Sequence, residues 1–484
     1  MLNPELKLNP KIFDQDVEQK PIRDGYGDAL VELGEKNPNV VVLTADLAES
    51  TRAHKFAEKW PERFIECGVA EQNMAGIASG LAVSGKIPFI SSYATFSPGK
   101  NWETIRTTII YNFANVKIAG HHSGIVTGPD GTTHQATEDI AITRCWPNIK
   151  VISPCDYWEA KKATLYAAEV YGPVYIRYVR DKTPVITTEE TPFRFGKIEC
   201  FWLPRINTDK TRIDADDARI DADKNLLYED LTYQLRNIFF TVYNKVGGGH
   251  KEIIYKNSVE NELKGRGISY SREPAIEIKY KDQAAGVYRP DFIIDGKIII
   301  EIKADRKLIK EHIRQAFSYL KASPYKLLLL VNFGYTKLEI KRFIDMKKSN
   351  PRESVFIDPR RSAVAIFSTG HLVYQALLAA KELEEEGIDI CVLNVHTIKP
   401  LDEEKILDVA SKVKGIVTLE DHQVHGGLGS AIAEVIVQKS ESKPKMLFLG
   451  LQDTFGESGK PDELIKKYGM DKEAVKNAVK KLLS

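Results

Sequence analysis

Between residues 23 and 195, short apolar runs rich in β-branched residues alternate with longer amphipathic ones. This alternation constrains the fold more than any other feature. VVVLTA (40–45), IPFISS (87–92), VKIAGHH (116–122), IKVISP (149–154) and VYIRYV (174–179) have the length and composition of buried strands. DGYGDALVELGEK and YWEAKKATLYAAEVYG between them have helical spacing. Strands separated by helices return to a sheet in parallel, so the pattern predicts an α/β fold with a doubly wound parallel sheet. The same grammar resumes at Ser362 with AVAIFSTG, LVYQALLAAKELEEEG, DICVLNV, a helix from Leu401, GIVTLE, a Gly-rich turn and a further helix. Two α/β domains therefore flank a middle block.

The middle block differs in charge and pattern. Residues 200–361 hold 31 Lys and Arg against 23 Asp and Glu, whereas the remainder holds 37 against 44. A basic centre between acidic flanks suggests modules of different origin or different partners. RIDAD occurs at 212–216 and again at 219–223. It lacks the glycine turn and closing glutamate of a calcium loop, and reads as a duplicated linker. An amphipathic helix follows (Leu227, Leu231, Leu235, Ile238, Phe239, Val242), ending at Gly247-Gly248-Gly249, then a second helix, several strands and a helix near 307–321. FRFGKIEC (193–200) and SAVAIFSTG (362–370) read as strands once joined by a short turn. That would place the block in a loop tip, where insertion disturbs little core.

A chain of 484 residues suggests about three domains. Apolar content of 43% and charged content of 28% are those of a globular protein. No run approaches the length of a membrane span, and MLNPELKLNPK has no hydrophobic signal region. The five cysteines lack CxxC spacing, which favours reduced thiols and a cytoplasmic setting.

The run CGVAEQNMAGIASGLAVSGKIPFISSYAT (67–95) opens a helix at Glu71 and fills it with small residues as far as Gly85. Such a helix admits a flat ligand or another backbone at close range. With SSYATF (91–96) and GPDGTTHQATED (128–139), it resembles the pyrimidine-binding half of a transketolase. In that family a glutamate hydrogen-bonds the aminopyrimidine ring of thiamine diphosphate and promotes loss of a proton there. The resemblance gives this role to Glu71; a first-turn acid facing the helix dipole is the plain alternative. Tyr93 takes the place of the aromatic that stacks on the pyrimidine, where phenylalanine is more usual, with Phe96 close behind. His122 and His134 would face the sugar's hydroxyls and carbonyl and move protons. Asp130 would lie near a C2 hydroxyl, and Arg180 in YIRYVRD would grip the sugar phosphate bidentately. Arg177, expected on the same strand face, is the weaker candidate. Pro129 stands where an acidic residue is often found.

The family's GDG-to-asparagine segment for Mg²⁺ and diphosphate does not occur in this sequence. The resemblance therefore implies a separate N-terminal transketolase subunit that holds both, with the cofactor at an interface and the subunits in a heterotetramer. It covers nearly all of 20–199 and 362–484, including HTIKPLD, EDHQVHGGLGSAIAE and FGESGKPDELIKKYG. The turn Gly426-Gly427-Leu428-Gly429 could bind an anion at a helix start, although a plain tight turn is the favoured reading.

Within the block, GHKEIIY (249–255), RPDFIIDGKIIIEIKAD and RQAFSYLK resemble the GxxExxY proteins, relatives of PD-(D/E)xK nucleases. That resemblance makes Asp291, Glu301 and Glu252 ligands for Mg²⁺ and Lys303 the lysine that assists the attacking water. Glu301 and Lys303 share a strand face by period two. A two-residue Asp295-Gly296 turn would pair Asp291 with Ile300; a three-residue loop or a bulge would pair it with Glu301. The metal reading therefore requires an irregular hairpin. Gln315 and Tyr319, four apart on a helix, fit a further element of some of these nucleases.

The expectation is a C-terminal subunit of a thiamine-diphosphate-dependent transketolase of the pentose phosphate pathway, moving a two-carbon ketol unit between phosphorylated sugars. The alternatives are a reaction like that of 1-deoxyxylulose-5-phosphate synthase, and a Mg²⁺-dependent nuclease or nucleic-acid-binding activity of the insert. The expected domains are an N-terminal extension (1–19), a pyrimidine-binding domain (20–199), a linker (200–225), the inserted domain (226–361) and a transketolase C-terminal domain (362–484).

Overall fold

The computed structural model describes residues 1–204, 228–280, 283–306, 308–335, 338–344 and 364–483. The repeated RIDAD segment, Leu227 and the expected boundary at 361/362 lie outside these residues. The chain forms two compact units, residues 1–207 with 357–484, and residues 208–356.

The first unit contains two large α/β sheets, besides a two-stranded ribbon of Gln19–Pro21 with Lys182–Pro184. The first runs in the order Thr397–Lys399, Lys150–Ile152, Val174–Tyr178, Lys117–His121, Ile87–Tyr93, Val40–Thr44, Phe64–Glu66. All neighbours in it are parallel except the first pair. Val40–Thr44 is buried at every position, as a strand covered on both faces requires. Val40 and Val42 enter one core cluster, Val41 and Leu43 the other. Each such side chain contributes about 1.5–3 kcal/mol by leaving water.

The second sheet runs Lys445–Leu451, Gly415–Gln423, Val364–Ser368, Ile390–Asn394, Glu199–Trp202. The two halves exchange edge strands. Thr397–Lys399 closes the first sheet antiparallel to Lys150–Ile152, and Glu199–Trp202 closes the second antiparallel to Ile390–Asn394. Residues 1–17 also pack on this unit: Asn3 N–H donates to Phe201 O at 2.9 Å, and Leu6, Leu8 and Ile12 enter its core.

FRFGKIEC is not one strand. Only Glu199 and Cys200 of that run are extended in a sheet, because a turn at Gly196 (φ +75°) interrupts it. Nor does that strand neighbour Val364–Ser368; Ile390–Asn394 lies between them. The registers nevertheless bring the end of Glu199–Trp202 and the start of Val364–Ser368 to one edge of the sheet. Two strand spacings, about 10 Å, separate them there, a gap that a short loop spans.

The second unit has a five-stranded sheet: Tyr270–Arg272, Phe292–Ile294, Ile298–Lys303, Leu327–Phe333, Leu338–Ile344. Its central pair is parallel and the rest antiparallel. Ile298, Ile300 and Ile302 pack with helices Glu229–Val246 and Glu252–Gly265, while Ile299 packs with helix Lys310–Ala322 on the other face. Among the described residues no helix is long and apolar enough to cross a membrane.

Candidate functional site

The parallel strands of the first sheet end along one edge, and their carboxyl-terminal loops carry the predicted residues, the usual place for a ligand crevice in such sheets. Glu71 is the first residue of helix Glu71–Val83, just after strand Phe64–Glu66. Its side chain is 2% exposed, and its Oε2 accepts a bond at 2.8 Å from Lys100, whose side chain is 45% exposed. Asn101 donates to the Glu71 carbonyl at 3.0 Å. Val69 beside it is 70% exposed. The acid thus lies one side chain beneath the surface and is tied to the segment that follows Tyr93 and Phe96.

Tyr93 ends strand Ile87–Tyr93 and stacks on His122, with ring centroids 3.8 Å apart. Phe96 lies nearly parallel to Tyr93 at 5.8 Å, and the His134 ring meets Tyr93 and Phe96 edge-on. The four residues form one aromatic cluster. His122 has φ +56°, a conformation that a non-glycine residue holds only when its surroundings impose it. Its carbonyl accepts from Thr127 Oγ1 at 2.7 Å. Burial, followed by Arg23 and Arg180, pushes the imidazole down to about 2, so it is neutral at physiological pH.

Arg180 donates to Thr127 O at 3.2 Å and lies 3.7 Å from Asp130. Arg177 does not share this role. It is three residues from Arg180, an odd number along an extended chain, so the two point to opposite faces. Its buried guanidinium pairs with Asp139 (Nε–Oδ2 2.9 Å) and donates to Ala136 O and Asp421 O.

Sequence reasoning passed over Arg23 and Arg52. Arg23 sits in the first turn of helix Ile22–Lys36 and donates to Ser50 O at 2.7 Å, with its Nε buried and unpartnered among the described residues. Burial and Arg52 depress its pKa. Arg52 pairs with Asp24 at 2.6 Å. Arg23, Arg52 and Arg180 all repel a proton on His122, which makes this a cationic corner suited to an anion. The signal available was the IRD start of the helix, where an arginine at the positive end of the dipole is out of place.

The C-terminal half holds the loop from His122 to Gln135 in position. Asp421 accepts Ile125 N–H at 3.0 Å and pairs with His371 at 3.0 Å. Gln135 donates to Glu457 O and Thr132 to Gly456 O, so FGESGKP lies along the loop. Glu420, fully buried, accepts Leu428 N–H at 2.6 Å and Gly429 N–H at 2.8 Å. Burial raises it to about 8 despite these donors. The amides at the start of helix Leu428–Lys439 are therefore satisfied within the chain, and the GGLG turn is the tight turn favoured above.

In the second unit, strands Phe292–Ile294 and Ile298–Lys303 pair Ile294 with Ile298, leaving a three-residue loop with φ +49° at Asp295 and +62° at Gly296. This is the irregular hairpin that the metal reading required, and the register extended by one residue sets Asp291 opposite Glu301. Asp291 Oδ2 accepts Ile302 N–H at 2.6 Å. Glu301 pairs with Lys303 at 3.0 Å, and burial, then Asp291, raises it to about 7. Gln315 bonds Tyr319 at 2.9 Å. Tyr255 explains its own motif: its hydroxyl donates to Gly247 O and accepts His250 N–H, and its ring stacks on Phe333.

The expected cage of Asp291, Glu301 and Glu252 is not formed. Among the described residues no three His, Cys, Asp or Glu side chains are placed to hold a metal ion. Lys256 lies between two of the three instead, with Nζ 2.6 Å from Glu252 Oε1 and 2.6 Å from Asp291 Oδ1.

Comparison with known proteins agrees with this division. Residues 18–185 match the family described as transketolase, pyrimidine binding domain, residues 229–343 the PD-(D/E)xK nuclease superfamily, and residues 354–475 the transketolase C-terminal domain. The "Putative transketolase C-terminal section" of Methanocaldococcus jannaschii is 33% identical over 94% of this chain and 94% of that protein. The 6-deoxy-6-sulfo-D-fructose transketolase subunit SqwH of Clostridium sp. is 28% identical over 96% of each. Against rat transketolase (25% identical) the match takes in 96% of this chain but 49% of that protein. A solved split-gene transketolase, described as an inactive β4 tetramer, matches with a TM-score of 0.58 and 28% identity over 96% of this chain and 98% of its own. The chain belongs to the transketolase family, aligned with the C-terminal sections of its split members and interrupted by a PD-(D/E)xK-superfamily domain.

Proposed function

We propose that this chain is the C-terminal subunit of a cytoplasmic, thiamine-diphosphate-dependent transketolase that moves a two-carbon ketol unit between phosphorylated sugars of the pentose phosphate pathway. Residues 20–199 and 362–484 carry the reaction, and residues 226–361 are a passenger joined by the linker 200–225. The observation that supports this reading is the meeting of the Tyr93–Phe96–His122–His134 cluster with the arginine corner, beside the Glu71 loop on one sheet edge.

The residues fit the cofactor's ring. Tyr93 and Phe96 offer parallel aromatic faces, and Glu71 offers a carboxylate held by a displaceable surface lysine. Thiamine diphosphate, when bound, supplies a nucleophilic carbon that breaks and remakes a bond beside a carbonyl. Glu71 would fix the aminopyrimidine and take part in its proton exchange. Neutral His122, whose Nδ1 is buried without a partner among the described residues, and His134 would hold hydroxyl protons of the sugar. Arg180 and Arg23 would bind its anionic end; their guanidinium groups suit phosphate and sulfonate alike.

The diphosphate and its Mg²⁺ fall to an N-terminal subunit in a heterotetramer. The half-length match to rat transketolase and the inactivity of the β4 relative support this. The test is reconstitution: this chain mixed with an N-terminal transketolase subunit, thiamine diphosphate and Mg²⁺ should transfer two-carbon units from a ketose phosphate or a 6-sulfonated ketose, and neither chain should do so alone. Transfer by this chain alone would refute the reading.

A further inference from the structure

The carboxylates of the second unit carry an inference that is independent of sugar chemistry. Helix Glu252–Gly265 projects Glu252 and Lys256 from one face, four residues apart. The Lys256 side chain is 15% exposed, and its ammonium bonds Glu252 and Asp291 at the same distance, 2.6 Å. The other oxygen of Asp291 is occupied by the amide of Ile302. Across the hairpin, Lys303 bonds Glu301 Oε1, while Glu301 Oε2 is buried with no partner among the described residues. Two ammonium groups thus stand among three carboxylates. Each lysine brings one charge on a tether, so no ion has to be drawn from solution and desolvated.

We propose that Lys256 takes the place of a divalent cation in the inserted domain, so that the Glu252–Asp291–Glu301 cluster is held together without metal. A divalent ion that bridged Glu252 and Asp291 would have to occupy the position of Lys256 Nζ. The ammonium has three donors, and two are used on these carboxylates. The cluster is latent: removing the amine while keeping the stem leaves two converging carboxylates, and the unpartnered Glu301 oxygen nearby, for an ion of the Mg²⁺ or Mn²⁺ class.

The test uses the full chain without thiamine diphosphate or a second subunit, with Mn²⁺ as probe and free Mn²⁺ read by electron paramagnetic resonance. Wild type should take up no stoichiometric Mn²⁺ at concentrations where Lys256→Met binds one equivalent, a gain in affinity of at least about tenfold. Lys256→Arg should behave as wild type, and Glu301→Gln or Asp291→Asn added to Lys256→Met should abolish the gain. Should Lys256→Met unfold the insert, Mn²⁺ should restore its helical circular dichroism signal. The proposal is overturned if wild type binds one equivalent as tightly as Lys256→Met, or if Lys256→Met neither binds Mn²⁺ nor is refolded by it.

Discussion

Arg177 and Asp139 form an ion pair withdrawn from solvent on both sides, with side-chain exposures of 2% and 1%. The second carboxylate oxygen lies 3.2 Å from Arg177 Nε, and Tyr175 donates to Asp139 at 2.5 Å. The same guanidinium reaches Asp421 O in the C-terminal half. The pair therefore fastens the loop with His122 and His134 to the sheet behind it and to the neighbouring domain.

Removing one partner strands the other charge in the interior. Arg177→Met should destabilise the first unit by about 3–5 kcal/mol, seen as a lower urea midpoint. Arg180→Met, which loses only a partly exposed pair with Asp130 and a bond to Thr127 O, should change stability by less than about 1 kcal/mol and act on turnover instead. Equal losses of stability in the two variants would contradict the division of labour between these arginines.

Gly124 combines a left-handed backbone, φ +78°, with a wall: a Cβ there would lie 1.8 Å from Asp421 Oδ2. Gly124→Ala should break the Asp421–Ile125 bond and unseat the loop, costing at least about 2 kcal/mol and most of the transferase activity. Alanine at Gly76 or Gly80, where an added Cβ would meet no atom of the described residues beyond its own stretch of helix within 4 Å, should leave stability the same or slightly higher by thermal melting.

Glu159 makes stability depend on pH. Its carboxylate accepts Cys155 N–H and Asn394 Nδ2, both at 2.7 Å, joining the two halves. Burial, then repulsion from Asp156, raises it to about 7, whereas an unfolded glutamate titrates near about 4.3. The folded chain therefore keeps a proton that the unfolded chain releases. The contribution is complete below about pH 4.3 and is lost as pH rises to about 7, by about 4 kcal/mol in all. Glu159→Gln should flatten that part of the profile of unfolding free energy against pH; parallel profiles would disprove the assignment.

Tyr93 should matter through its ring. In the reconstituted enzyme Tyr93→Phe should keep cofactor affinity within a few-fold, while Tyr93→Ala should weaken it about tenfold or more, measured by thiamine diphosphate titration. A larger loss in Tyr93→Phe than in Tyr93→Ala would point to the hydroxyl and against stacking.

The parallel sheets were legible because runs such as VVVLT and VYIRY, each with four β-branched or aromatic residues in five, are buried along their whole length, as strands covered on both faces are. The hairpin loop at Asp295-Gly296-Lys297 was foreseeable from a chemical demand on register. The exchange of Thr397–Lys399 and Glu199–Trp202 between sheets was not, since three- and four-residue edge strands carry no periodic signal. Arg177 was expected on the face of Arg180, but three residues separate them and the strand ends at Tyr178 between them. Arg23 and Arg52 were missed because nothing local distinguishes an arginine aimed at a ligand from one in solvent. Lys256 could have been found: Glu252 and Lys256 are four apart on a helix, a spacing that pairs them before any metal arrives.

The most direct test of the account is Glu71→Gln in the complex reconstituted with an N-terminal subunit. The carboxamide keeps the side chain's volume, its oxygen can still accept from Lys100, and the Asn101 bond to the main-chain carbonyl is untouched, so assembly should be unchanged while the two-carbon transfer rate falls by at least about a hundredfold. A variant that assembles and transfers at the wild-type rate would contradict the claim that this buried acid activates the cofactor.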